Sequence, residues 1–185
     1  MGFFYHPCTS PCIRQGEVIQ NVVELRARYL AGTVADPSAH VTIERVNHAL
    51  AIVATQDCDL DQDYKARQGS AGEDKVLAHV LLCDLFTQED IRQRSKLTAD
   101  LWKRVRQNQN ERYHMLEAAQ VRDSDDGFPA LYADFKAIFS LPTEAMYALL
   151  GCGSLVRKGF LPSPYLEDFT HRLYHYLGRV PIREF

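Results

Sequence analysis

Long apolar runs are missing from this chain of 185 residues. No stretch reaches the roughly 18 apolar residues that a membrane-crossing helix needs, so no transmembrane segment and no membrane partner are expected. The opening residues, MGFFYHPCTSPC, lack a basic region followed by an apolar core, which argues against a secretory signal. His6 stands where a myristoylation signal carries Ser or Thr. Charge of one sign is scarce too. A net charge of -3 gives no global pull towards nucleic acid or membrane and leaves room only for a local patch. Cysteine is sparse and odd in number. Cys8, Cys12, Cys58, Cys83 and Cys152 form no dense framework, which points to free thiols in the cytoplasm. A phosphate-cradling Gly-rich loop and a dinucleotide fingerprint are both absent, so no cofactor is expected.

The composition that remains, 46% hydrophobic and 24% charged, is that of an ordinary globular domain. Residues 16–26 read as a strand opened by Gly16. Ala39–Val46 alternates and reads as a second strand; His48–Gln56 is an apolar run of strand length. Residues 61–75 look like a polar loop, and Val76–Phe86 like another buried strand. Helices follow from Thr87, with Leu97, Leu101 and Val105 marking an apolar face. Arg112–Ala118 and Phe128–Ser140 return to strand, around a turn at Asp123–Gly127. Thr143–Gly151 reads as a short helix capped by Thr143. Ser163–Gly178 reads as a helix capped by Ser163, with Pro164 in its first position and an apolar face of Leu166, Phe169, Leu173, Tyr176 and Leu177. Strands first and helices later argue an α+β fold in one domain: a barrel-like β core over 14–86 and a helical elaboration over 87–185 with two further strands.

Four features carry candidate chemistry. The first is the stretch Asp57-Cys58-Asp59, followed by Asp61 and Asp63. Cysteine reacts as a thiolate, and two flanking aspartates repel one. The aspartates fit positions one, three, five and seven of a calcium loop, but Gln62 and Gln68 occupy its diagnostic sixth and twelfth positions. The second is Arg112-Tyr113-His114, where one strand face would carry a permanent cation beside a titratable base. The third is His6, Cys8 and Cys12, whose spacing is not that of a zinc knuckle, so no metal is expected. The fourth is the basic series Arg92, Arg94, Lys96, Lys103, Arg104 and Arg106, which could face phosphates.

These elements resemble a bacterial protein family marked by an apolar strand ending Q-x-C-D-L, an R-Y-H tripeptide, a D-F-K strand and a terminal P-Y helix with a later arginine. Here they are Gln56-Asp57-Cys58-Asp59-Leu60, Arg112-Tyr113-His114, Asp134-Phe135-Lys136, and Pro164-Tyr165 with Arg172. That resemblance implies no activity. The N-terminal half is also similar to the MazF/PemK-type toxins, SH3-like barrels that cut RNA. Gly16-Glu17-Val18-Ile19 matches their opening G-D-I-V, Ala51–Asp57 their second strand and Val80–Leu85 their third. Cys83-Asp84-Leu85 stands where they carry Pro-Ile-Thr, and Arg45 is the arginine nearest their second strand. The likeness implies a small, mostly antiparallel SH3-like barrel.

Two functions are thus expected. In one, Cys58, Asp59, Arg112 and His114 form a catalytic site: His114 as general base, Arg112 holding an anionic group, and Cys58 or a carboxylate as nucleophile or water-positioner. Asp57, Arg104 and Arg106 would then bind a phosphate-containing ligand, RNA or a nucleotide. In the other, the chain is a non-catalytic binding or adaptor module for a ligand or protein partner, and the same residues are structural.

Overall fold

The computed structural model describes residues 3–29, 41–70, 72–121 and 128–179. Its frame is a six-stranded antiparallel sheet of β2 (Glu17–Tyr29), β3 (Val41–Val53), β4 (His79–Thr87), β5 (Tyr113–Leu116), β7 (Leu131–Pro142) and β8 (Val156–Phe160), in the order β5-β7-β4-β3-β2-β8. A parallel pair, β1 (Phe3–Tyr5) and β6 (Ala119–Val121), stands apart. The helices are α1 (Asp57–Arg67), α2 (Gln88–Arg94), α3 (Ala99–Arg106), α4 (Thr143–Gly151) and α5 (Tyr165–Leu177). The fold is therefore α+β. The expected closure into an SH3-like barrel is not seen, because β5 and β8 are the two edges of an open sheet. Residues 14–86 also do not hold the β core alone: β5, β7 and β8 complete the same sheet.

Alternate residues of the central strands feed two cores. Ile52 and Ala54 join Val18, Cys83, Leu85 and Phe135 on one face, under Phe169 and Leu173 of α5. Ala51 and Val53 join Ile19, Leu82 and Phe139 on the other, under Leu60 of α1 and Met146 of α4. This period of two is what an antiparallel strand buried on both faces requires. A third cluster, Phe86, Ile91, Trp102, Val105, Tyr113 and Tyr132, lies beneath α2 and α3. Gly16 opens β2 at φ +81, and a Cβ there would stand 2.7 Å from Leu166 Cδ1, so both backbone and space call for glycine.

Several sequence expectations are corrected. The two strands expected over Ala39–Val46 and His48–Gln56 are one, β3, which runs unbroken through Asn47 and ends at Val53; Ala39 and His40 lie outside the described residues, as does the Asp123–Gly127 turn. The polar loop expected at 61–75 begins as the second half of α1, to Arg67, and ends in a 3-10 turn over Glu73–Lys75. The apolar face of α3 is rotated: Trp102 and Val105 are buried, whereas Leu101 is 38% exposed. Leu177 likewise leaves the α5 face. Pro142, not Thr143, holds the N-cap of α4, and Pro164, not Ser163, that of α5. No described helix is long and apolar enough to cross a membrane.

Candidate functional site

The aspartate series lies on α1, not on a loop. Its first turn carries Asp57 and Asp59 and its last Lys65 and Arg67, each at the end the helix dipole favours. Asp57 forms a bidentate pair with Arg14, both contacts 2.6 Å, and accepts the Gln15 N–H at 3.1 Å. Burial pulls its carboxyl pKa up, but the Arg14 hydrogen bonds and charge together with the Gln15 N–H outweigh that and hold it below the usual range. Asp61 pairs with Lys65 at 2.6 Å. Asp63 is fully buried, bound to Arg67 at 2.9 Å and to the Leu77 N–H at 2.8 Å. Asp59 and Cys58 are exposed, and the thiol reaches only Gln56 Oε1 at 3.6 Å and Asp59 Oδ1 at 3.7 Å. Among the described residues, no three His, Cys, Asp or Glu are grouped to hold a metal ion.

Arg112 and His114 lie elsewhere. Arg112 grips Asp134 in a second bidentate pair, at 2.7 and 2.6 Å. Asp134 begins a bulge in β7: Cys83 pairs with Ile138 and Leu85 with Ala133, so residues 134–137 of β7 oppose Asp84 alone. Asp134 fastens the bulge by accepting the Lys136 N–H at 3.0 Å, and its carbonyl accepts the Cys83 thiol at 3.3 Å. His114 is 2% exposed, between Phe135 (centroids 6.4 Å) and Phe169 (5.6 Å). Burial, with the Arg172 guanidinium adding to it, pushes its pKa down to about 3.

The expected catalytic group is thus divided. Leu60 roots α1 in the core on one face of the sheet, whereas His114 packs against Phe135 and Phe169 of the opposite core. Asp57 and Arg112 are each held in a bidentate pair by another residue. Arg104 and Arg106 are exposed in the last turn of α3.

Three features escaped the sequence. Glu17, with no exposure, is held by Arg157 from β8. His48 is buried between Glu24 (3.1 Å) and Asp84 (3.0 Å) and stacks on Phe139 at 3.9 Å and 7°. Burial alone would lower its pKa; the two carboxylates outweigh burial and raise it. Tyr5 is 2% exposed beside Phe128, in a segment that reads as irregular from its prolines. In each case the partner lies far away in the chain, and no local spacing announces it.

Comparison with models of known protein families and with curated protein sequences finds no match. The bacterial-family and toxin resemblances rest on the quoted motifs alone.

Proposed function

We propose that this protein is a non-catalytic, cytoplasmic binding module that takes the phosphate backbone of single-stranded RNA on the α2–α3 surface. One observation carries the reading. Most described arginines elsewhere are paired with a carboxylate: Arg14 with Asp57, Arg26 with Glu24, Arg67 with Asp63, Arg112 with Asp134 and Arg157 with Glu17, whereas Arg45 bonds to Asn47 and Arg172 to backbone carbonyls. Over α2 and α3, in contrast, Arg92, Arg94, Lys96, Lys103, Arg104 and Arg106 are all exposed, and none forms an ion pair with a carboxylate among the described residues. Glu89, Asp90 and Asp100 are the acidic residues in that span, and Asp90 is taken up by the Thr87 capping box.

The cations are also held in place. Arg94 lies 4.1 Å over the Phe86 ring and Arg92 5.3 Å over Trp102, so part of each guanidinium is oriented before any ligand arrives. A series spread over two helices suits a chain of phosphates; a mononucleotide asks for a concave seat. The similarity of the N-terminal half to RNA-cutting toxins agrees with that ligand class, and the five free thiols agree with a reducing compartment. The separation of Cys58 from His114 speaks against cleavage by those residues.

Arg104→Gln with Arg106→Gln tests the reading. Binding of a fluorescent single-stranded RNA, measured against salt, should weaken uniformly across sequences. The log–log salt slope should fall in magnitude by about 1.4, at roughly 0.7 per phosphate contact. An unchanged slope, or no binding by the parent protein, rejects it.

A further inference from the structure

We propose that a cavity of about 130 Å³, set where β1, β5 and the start of α5 meet, binds a small primary ammonium group carried on a short apolar stem. Its lining includes Tyr5 and His114, each 2% exposed. Tyr5 Oη and His114 Nδ1 find no hydrogen-bond partner among the described residues. Buried polar atoms are nearly always paired, so two unpaired ones lining one cavity mark a place where a third party completes the bonding.

The charge of the lining selects the ligand. Glu117 and Asp168 contribute carboxylates, and among the described residues no lysine or arginine lines the cavity. Asn108 also lines it, but its amide is taken up by Met115, accepting the backbone N–H at 2.6 Å and donating to the carbonyl at 3.1 Å. The groups left are rich in acceptors: the Tyr5 hydroxyl, which can also donate to a carboxylate, His114 Nδ1 in the tautomer protonated at Nε2, the Glu117 carboxylate, and the Asp168 carboxylate, whose charge also acts on Arg172. An ammonium offers three N–H donors and no acceptor, which is the complementary set. The imidazole is neutral at physiological pH, because burial keeps its pKa near 3, and so presents no opposing charge. Leu116, Leu161 and Pro162 supply the apolar wall for a stem. A cavity of this size holds a group of a few heavy atoms, so a butylamine-like end fits where a nucleotide does not. Arg172 lies in the adjoining groove with Asp168, His171 and His175, and its guanidinium donates to the Asn110 and Tyr113 carbonyls at 2.6 and 3.0 Å. It therefore fixes the loop that walls the cavity; its charge reaches His114, and its Nε, also buried without a partner among the described residues, lies in the adjoining groove rather than in the cavity lining.

Titration calorimetry of the whole protein with n-butylamine, n-butanol and butyrate decides the matter. Butylamine should bind, with butanol and butyrate each about tenfold weaker or more. Tyr5→Phe, which deletes only the unpaired hydroxyl, and Asp168→Asn, an exposed position, should each weaken butylamine by about fivefold while leaving the thermal midpoint within a few degrees. Butyrate binding as well as butylamine, no binding of the amine, or parental affinity in both variants would overturn the proposal; the cavity would then hold water alone.

Discussion

Arg157→Ala is expected to lower the unfolding free energy by about 3–5 kcal/mol, the cost of leaving a buried carboxylate without its cation. Glu17 has no solvent exposure. Arg157 Nε reaches its Oε2 at 2.9 Å, the terminal nitrogens contact Oε1 and the Ser10 carbonyl, and one donates to the Cys12 carbonyl at 3.0 Å. A single side chain from β8 thereby ties the start of β2 to the segment before it. Burial raises the Glu17 pKa while Arg157 opposes the rise. Without Arg157 the carboxyl can escape only by taking up a proton or by opening the edge of the sheet. Glu17→Gln should cost less, since an amide oxygen still accepts from the guanidinium and no charge is stranded. Arg157→Lys should fall between, because an ammonium cannot reproduce the planar fork. Urea denaturation of the three variants measures the order. A loss below about 1 kcal/mol for Arg157→Ala would mean that the pair is not the clasp its geometry describes.

His114 should make the protein lose stability as pH falls from neutrality. In the unfolded chain an imidazole takes up a proton near pH 6.5. Folded, between Phe135 and Phe169, it refuses that proton until about pH 3. Between these values the unfolded state binds more protons, so stability declines by about 1.4 kcal/mol per pH unit, or about 2 kcal/mol from pH 6.5 to pH 5. His48 works in the opposite sense. Its folded pKa is raised, so its contribution is complete below the unfolded value and is lost as pH rises through the folded one. His114→Leu should remove most of the acid-side slope, and the difference between parent and variant should grow steadily from pH 7 to pH 5. Parallel stability curves would contradict the sealed, neutral imidazole.

Both effects arise from contacts between residues far apart in the chain, which explains what could be read beforehand. The central strands were legible because Ala51–Ala54 and Val80–Leu85 are too apolar to sit anywhere but between two cores. The face of α5 was legible through Leu166, Phe169 and Leu173 at helical spacing. The helix α1 was not, since its buried residues are only Leu60 and Asp63. Ion pairs at i,i+4, Asp61–Lys65 and Asp63–Arg67, stand where an apolar stripe would have revealed it. The residues chosen for chemistry were unusual, but for structural reasons. Asp57 and Arg112 are halves of two bidentate pairs whose other halves lie 43 and 22 residues away. An isolated carboxylate and an isolated guanidinium look catalytic in a sequence until their partners are in place. The basic series over α2 and α3 was legible as a charge pattern; the missing counter-charges were visible only in three dimensions.

The most direct test of the central claim is residue-resolved. In a nitrogen-edited NMR titration of the labelled protein with a short single-stranded RNA, amides of Gln88–Arg94 and Ala99–Arg106 and the Trp102 indole should shift, with shifts fading as salt is raised. Amides of Asp57–Asp59 and Tyr113–His114 should stay in place. Shifts confined to those two segments, or none anywhere at low salt, would contradict a phosphate-binding surface on α2 and α3.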